Sequence, residues 1–213
     1  MKTARILVTG FGPFGGVDHN PSGDLAEALD GRSIGGAKVT GIVLPCEFGR
    51  SLEVLKKELR RVRPDAVVAL GVAAGRDAIT PERVAVNLDD ARQADNAGYR
   101  PVERPVVARG PAAYWSGLPV KAIVRELERA GLPARLSMTA GTYVCNHVFY
   151  GLMHAVRRRP GVRAGFIHLP GYPDPSGRLP GWSSADLERG VCLALRVVAR
   201  RRTDLRVGLG ESS

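Results

Sequence analysis

Strand-length apolar runs alternate with helix-length segments along almost the whole chain, and this constrains the fold more than any other feature. The runs Ala4 to Thr9, Val39 to Leu44, Asp65 to Gly71, Ala134 to Met138 and Val162 to His168 read as strands, with Arg83 to Leu88 a further candidate. Between them, Pro21 to Leu29, Arg50 to Arg63, Val120 to Ala130, Asn146 to Arg158 and Ser184 to Arg201 read as helices. In Arg50 to Arg63 the apolar positions Leu52, Val54, Leu55 and Leu59 follow a helical period with charges opposite. Gly131-Leu132-Pro133 stops the third helix, and Arg159-Pro160 closes the fourth. Such alternation predicts an α/β protein: a three-layer α/β/α fold with an open, twisted, mixed sheet, as in phosphorylase- and hydrolase-like folds. Asp89 to Gly117 is polar and rich in Pro and Gly, and reads as a long functional loop with short strands.

The 213 residues show no repeat, no low-complexity linker and no break in composition, so a single domain over 1–213 is expected, with a frayed tail over 203–213. No apolar run approaches the ~18–20 residues of a membrane span, and the first residues lack a signal-peptide pattern. Three scattered cysteines (Cys46, Cys145, Cys192) build neither a disulfide framework nor a zinc site. These readings predict a cytoplasmic protein with free thiols, no metal, no cofactor and no membrane partner.

A formal charge of +10 raises nucleic acid as a partner. However, nearly all of this charge is arginine, much of it in the clusters Arg157-Arg158-Arg159 and Arg200-Arg201-Arg202 at helix C-termini. There it offsets the helix dipole and aids solubility. Aromatic residues are only 6% and no recognition module is present, so no nucleic-acid partner is expected.

In layered α/β folds function gathers where strands end and helices begin. Thr139-Ala140-Gly141-Thr142-Tyr143-Val144 is a small-residue turn that delivers Cys145 to a helix start, where the dipole favours thiolate and free amides can hold an oxyanion. A small buried core cysteine is the plain alternative. His168 ends an apolar strand, from which it can serve as general base and then acid, or as a structural histidine. Glu82 opens a strand and can either orient that histidine or pair with Arg83 or another surface arginine. His147, two residues past Cys145, points around the helix and reads as structural, and His154 and His19 as bystanders.

Gly10-Phe11-Gly12-Pro13-Phe14-Gly15 matches the spacing of a dinucleotide fingerprint, but Pro13 and the following Gly-Gly-Val-Asp do not allow a helix to open at the third glycine. Exposed Phe11 and Phe14 in a flexible loop suggest instead an apolar clamp for a small flat group.

Two long stretches, Gly71 through Ala74, Ile79-Thr80, Glu82-Arg83-Val84-Ala85 and Asn87, and Leu136-Ser137 through Ala140-Gly141 and Tyr143 to Cys145-Asn146, resemble the signatures of pyroglutamyl peptidase type I. Thr9-Gly10-Phe11-Gly12-Pro13-Phe14 with Asn20-Pro21, Asp89-Asp90-Ala91-Arg92 with Asp95-Asn96, and His168-Leu169-Pro170 are also similar to that family, in order across most of the chain. The resemblance implies a cysteine peptidase that removes an N-terminal pyroglutamyl residue, with Cys145, His168 and Glu82 as its triad. It implies that Phe11, Phe14 and Tyr143 enclose the lactam ring, that Asn20 shapes the pocket, and that Arg92 supports the oxyanion or the site. It also implies a homotetramer. The Gly/Pro-rich loop Gly171-Tyr172-Pro173-Asp174-Pro175-Ser176-Gly177 and the Arg200-Arg201-Arg202 cluster depart from the family pattern. The competing function is a nucleotide- or nucleoside-binding α/β protein, since related sheet folds host phosphorylases.

Overall fold

The computed structural model describes residues 3–173 and 181–210. The part of the Gly/Pro loop from 174 to 177 lies outside the described residues. The sheet is built on β1 (Ala4–Phe11), β3 (Ala37–Leu44), β4 (Ala66–Val72) and β8 (Arg163–Leu169), flanked by the two-residue strands β2 (Ser33–Ile34) and β5 (Thr80–Pro81). Its order is β2-β3-β1-β4-β8-β5. The central pairings are parallel, while β2 on β3 and β5 on β8 are antiparallel, so the sheet is mixed.

The central strands are continuous apolar runs because both faces are covered. Along β1 the side chains alternate between layers. Ile6 and Val8 join the core beneath α1 (Pro21–Ala28), α3 (Val120–Arg129) and α5 (Ser184–Arg200), and Leu7 joins the core beneath α2 (Arg50–Val62) and α4 (Val144–Val156). The α2 helix is amphipathic, burying Leu52, Leu55 and Leu59. By contrast, α4 is buried nearly all round, and its sequence VCNHVFYGLMHAV carries apolar residues on every side. The result is the three-layer α/β/α arrangement.

After β1 the chain passes through α1 to β3 on one side, and after β3 through α2 to β4 on the other, so the winding direction changes between β1 and β4. The crevice beyond their C-terminal ends is where ligands bind in open α/β sheets.

Three expectations are corrected. Ala134 to Met138 is not a strand. It runs beside the β5 segment through isolated bridges, Ile79 to Ala134 and Glu82 to Ser137. The segment Arg83 to Leu88 forms only β6 (Val84–Val86), which pairs with β7 (Ala113–Trp115) in a separate small sheet. The tail is held at least as far as Val207: Asp204 accepts from the amides of Lys121 and Ala122 at 3.1 and 3.0 Å, capping α3, and Lys121 Nζ donates to the Val207 carbonyl.

Candidate active site

Cys145 is the second residue of α4, after Tyr143 in extended conformation at the helix cap. The first-turn amides have no acceptor within the helix. Sγ lies over β4 at Gly71, where a Cβ would come within 3.0 Å of it and within 2.7 Å of the Phe166 ring. Glycine there makes room for the thiol. Gly71 is paired in register with His168 on β8, so the histidine side chain projects from the same face of the sheet, beside Phe166 at 4.8 Å between ring centroids.

His168 is 4% exposed, and its Nδ1 hydrogen-bonds to Glu82 Oε1 at 2.7 Å. An ionised carboxylate only accepts, so Nδ1 carries the proton and Nε2 is left as a basic nitrogen; among the described residues Nε2 has no hydrogen-bond partner. Glu82 is fully buried, just past β5, with its own amide bonded to the Phe166 carbonyl of β8 at 2.9 Å. Its arginine partner is Arg76, at 2.7 Å, and not Arg83, which stacks on Trp115.

Burial sets the charge of the nucleophile. It pushes the Cys145 thiol up from its usual range, and the nearby Cys46 and Glu82 push the same way. Arg76 and the residue's own backbone N–H oppose them without prevailing. Burial thus works against the thiolate that a helix start favours, and attack near neutral pH calls for a base beside the thiol.

Beside Sγ lies a cavity of about 350 Å³, a size typical of small-molecule pockets. It is lined by Phe11, Phe14, Val17, His19, Asn20, Pro21, Cys46, Val72, Ala74, Gln93, Tyr143 and Cys145, with no carboxylate, lysine or arginine among them. Phe14 and Tyr143 meet at 5.3 Å between centroids, and Tyr143 donates to the Ala94 carbonyl at 3.0 Å. Asn20 caps α1 through Oδ1 and holds the Gly12 carbonyl through Nδ2 at 2.9 Å, pinning the Phe14 loop. Cys46 is buried, and its thiol is pushed up to about 12, first by that burial.

One further expectation is corrected. Phe11 is not exposed in a flexible loop: it is the last residue of β1, 3% exposed, and still lines the pocket. Arg92 lies on an adjoining cavity with Asp90, Gln93, Thr142 and Tyr143, of which Gln93 and Tyr143 also line the first. The glycine run also gains a reason. A Cβ on Gly10 would fall 1.8 Å from the Ser22 carbonyl oxygen, so this glycine lets β1 and the start of α1 touch, and no helix opens until Pro21. The run serves packing and not a pyrophosphate.

Arg76 and Asn146 escaped sequence reasoning. Asn146, fully buried, accepts from the Val86 amide at 3.0 Å and donates to the Val86 and Leu88 carbonyls at 2.9 and 3.0 Å, tying β6 to the helix of the nucleophile. An asparagine directly after Cys145 was the only signal. His147 is structural, as expected: Nδ1 bonds Asp89 Oδ2 at 2.8 Å, and Nε2 accepts from the Gly49 amide at 2.9 Å.

The family model for pyroglutamyl peptidase matches residues 4–199. The chain belongs to the pyroglutamyl peptidase family. It is 54% identical over 197 residues to a pyrrolidone-carboxylate peptidase of Chromobacterium violaceum, covering 92% of this chain and 90% of that protein. A crystal structure of pyroglutamyl peptidase I from Bacillus amyloliquefaciens superposes with a TM-score of 0.94 at 42% identity, covering 97% of this chain and all 100% of that one. Pyrrolidone carboxyl peptidase from Thermococcus litoralis gives 0.91 at 37% identity, with 97% and 100% covered. The family membership accounts for the α/β fold. Among the described residues no helix is long and apolar enough to cross a membrane.

Proposed function

We propose that this chain is a cysteine exopeptidase that hydrolyses the amide bond after an N-terminal pyroglutamyl residue, with Cys145 as nucleophile, His168 as base and acid, and Glu82 as the group that orients His168. The observation that carries the reading is a thiol packed against Gly71, the register partner of a His168 bonded to buried Glu82, with an aromatic pocket alongside whose described lining has no carboxylate, lysine or arginine. The lactam is flat and neutral, so Phe11, Phe14 and Tyr143 can cover its faces. A free N-terminal ammonium would enter a pocket with no carboxylate to receive it.

In this mechanism His168 Nε2 takes the proton from the neutral Cys145 thiol as sulfur attacks the pyroglutamyl carbonyl. The carbonyl oxygen becomes an oxyanion, held by first-turn amides of α4. The C–N bond breaks, and the leaving amine takes the proton from His168. Water then attacks the thioester and gives a proton to His168; the C–S bond breaks, and the sulfur regains its proton as pyroglutamate leaves. Asn20 contributes by holding the Phe14 loop against the pocket. Arg92 supports the site from the adjoining cavity.

The test is release of the fluorophore from pyroglutamyl-aminomethylcoumarin. Activity is expected in the wild type and loss in Cys145→Ser and Cys145→Ala; full activity in Cys145→Ala would overturn the assignment. The same reading includes a homotetramer, supported by the family resemblance, and a cytoplasmic location, supported by the three free cysteines. Sedimentation velocity reads the assembly directly, and a monomer at micromolar concentration would remove it.

A further inference from the structure

Arg76 precedes β5 in a loop that no part of the proposed mechanism uses. Its Nη1 donates to Glu82 Oε1 at 2.7 Å and also to Thr80 Oγ1, and its Nη2 donates to the Thr139 carbonyl at 3.1 Å. The guanidinium therefore joins the acid to the turn that leads into the nucleophile's helix. We propose that Arg76 is a positioning residue, which keeps Glu82 aimed at His168 and holds the Thr139 turn in register with it. The inference rests on the peptidase reading above.

Three observations support it. First, Glu82 is fully buried and, among the described residues, its Oε2 has no hydrogen-bond partner, so Oε1 takes both of the hydrogen bonds that hold the carboxylate. A buried carboxylate with so few partners needs a cation beside it. Second, the two donors on Oε1, Arg76 Nη1 and His168 Nδ1, converge on one oxygen, so the cation fixes the carboxylate rotamer that the imidazole needs. Third, Arg76 is only 27% exposed at its side chain and uses both terminal nitrogens, which a lysine could not reproduce.

The charged and titratable groups facing Glu82 are Arg76 from the loop, His168 from β8 and Cys145 from α4. Removing the arginine takes away the cation that favours the Cys145 thiolate, so the thiol holds its proton to higher pH and its reactivity appears later in a pH series.

The experiment compares Arg76→Gln, Arg76→Lys, Glu82→Gln and the double variant Arg76→Gln/Glu82→Gln, each checked for folding by thermal melting. Two readouts are taken against pH: kcat and KM on pyroglutamyl-aminomethylcoumarin, and the rate of Cys145 alkylation by iodoacetamide followed by mass spectrometry. In Arg76→Gln kcat is expected to fall about tenfold or more with KM within about twofold. The rise of alkylation should move up by about one pH unit. Arg76→Lys should keep the pH dependence and recover only part of kcat. In the Glu82→Gln background, Arg76→Gln should cost less than about threefold, because the residue through which it acts is already neutral.

Multiplying losses in the double variant, or an unmoved alkylation profile in folded Arg76→Gln, would overturn the proposal. Wild-type kcat in Arg76→Lys would overturn it too, and this variant decides the matter if Arg76→Gln does not fold. A wild type that fails to cleave the substrate would sink the peptidase reading instead, while alkylation would still report on Arg76.

Discussion

Two buried histidine–carboxylate pairs lie near the start of α4, and they differ in what holds the second ring nitrogen. In the His147–Asp89 pair, Nε2 accepts a hydrogen bond from the Gly49 amide, so the ring is fixed as the neutral Nδ1–H tautomer and has no nitrogen to offer. In the His168–Glu82 pair, Nδ1 is engaged in the same way, but Nε2 is uncommitted among the described residues and a cation supports the carboxylate. The distances, 2.8 and 2.7 Å, hardly distinguish the pairs. A histidine and an acid in contact are therefore not a catalytic dyad by themselves; the free nitrogen and the thiol beside it make the difference.

The sharpest way to break that comparison is to remove each ring. His168→Ala is expected to lower kcat/KM on pyroglutamyl-aminomethylcoumarin by about a thousandfold or more, since the thiol then has no base. His147→Ala should keep activity within about tenfold but lose about 2 kcal/mol of stability in denaturant titration, because Asp89 is left buried without its donor. Equal losses of activity would mean that both pairs take part in the chemistry.

The acids should divide in the same way with smaller effects. Glu82→Gln is expected to lower kcat by about a hundredfold with little change in KM, since the amide can still touch Nδ1 but cannot stabilise an imidazolium. Asp89→Asn should change kcat by no more than a few-fold. Steady-state kinetics on both variants check this, and an unchanged turnover in Glu82→Gln removes its orienting role.

The burial of the Cys145 thiol gives the third prediction. Because burial raises the Cys145 thiol, the thiolate fraction should grow about tenfold per pH unit through the neutral range. Alkylation of Cys145 by iodoacetamide should rise with it. A thiol lowered by the helix dipole would instead react at a constant rate above neutrality, and such a plateau would show that the dipole prevails over desolvation after all.

Much of this was visible in sequence because the four central strands are doubly covered and so read as uninterrupted apolar runs, while α2 and α5 show their buried face every three or four residues. The positions of Cys145 and His168 at element ends followed from those boundaries. What escaped depends on contacts between distant residues. The strand β5 is two residues long and exists only through its pairing with β8. The link from Arg76 to Glu82 and Thr139 joins three loops that have no shared pattern. The exposure of Phe11 was misjudged because a Gly-Phe-Gly-Pro run looks like a loop, whereas Gly10 and Phe11 continue β1 against α1. Desolvation of Cys145 is a property of the packed crevice, where the thiol lies against Gly71 and Phe166.

The smallest predicted effect tests what keeps His147 silent. Gly49 has φ 70° and ψ −60°, a conformation open to glycine and strained for any residue with a Cβ. A Cβ there meets nothing within 4 Å, so Gly49→Ala acts through the backbone alone. The strain should cost about 1 kcal/mol and weaken the bond from the Gly49 amide to His147 Nε2. Turnover should stay within about twofold, because freeing this nitrogen does not bring it to the thiol: the ring points around the helix toward Phe48, at 5.3 Å between centroids. Ring ¹⁵N shifts of His147 would report the loosened tautomer alongside the kinetics. If turnover instead fell in step with that loosening, the Gly49 amide would be part of the catalytic geometry, and the two pairs could no longer be treated as one working dyad and one structural strut.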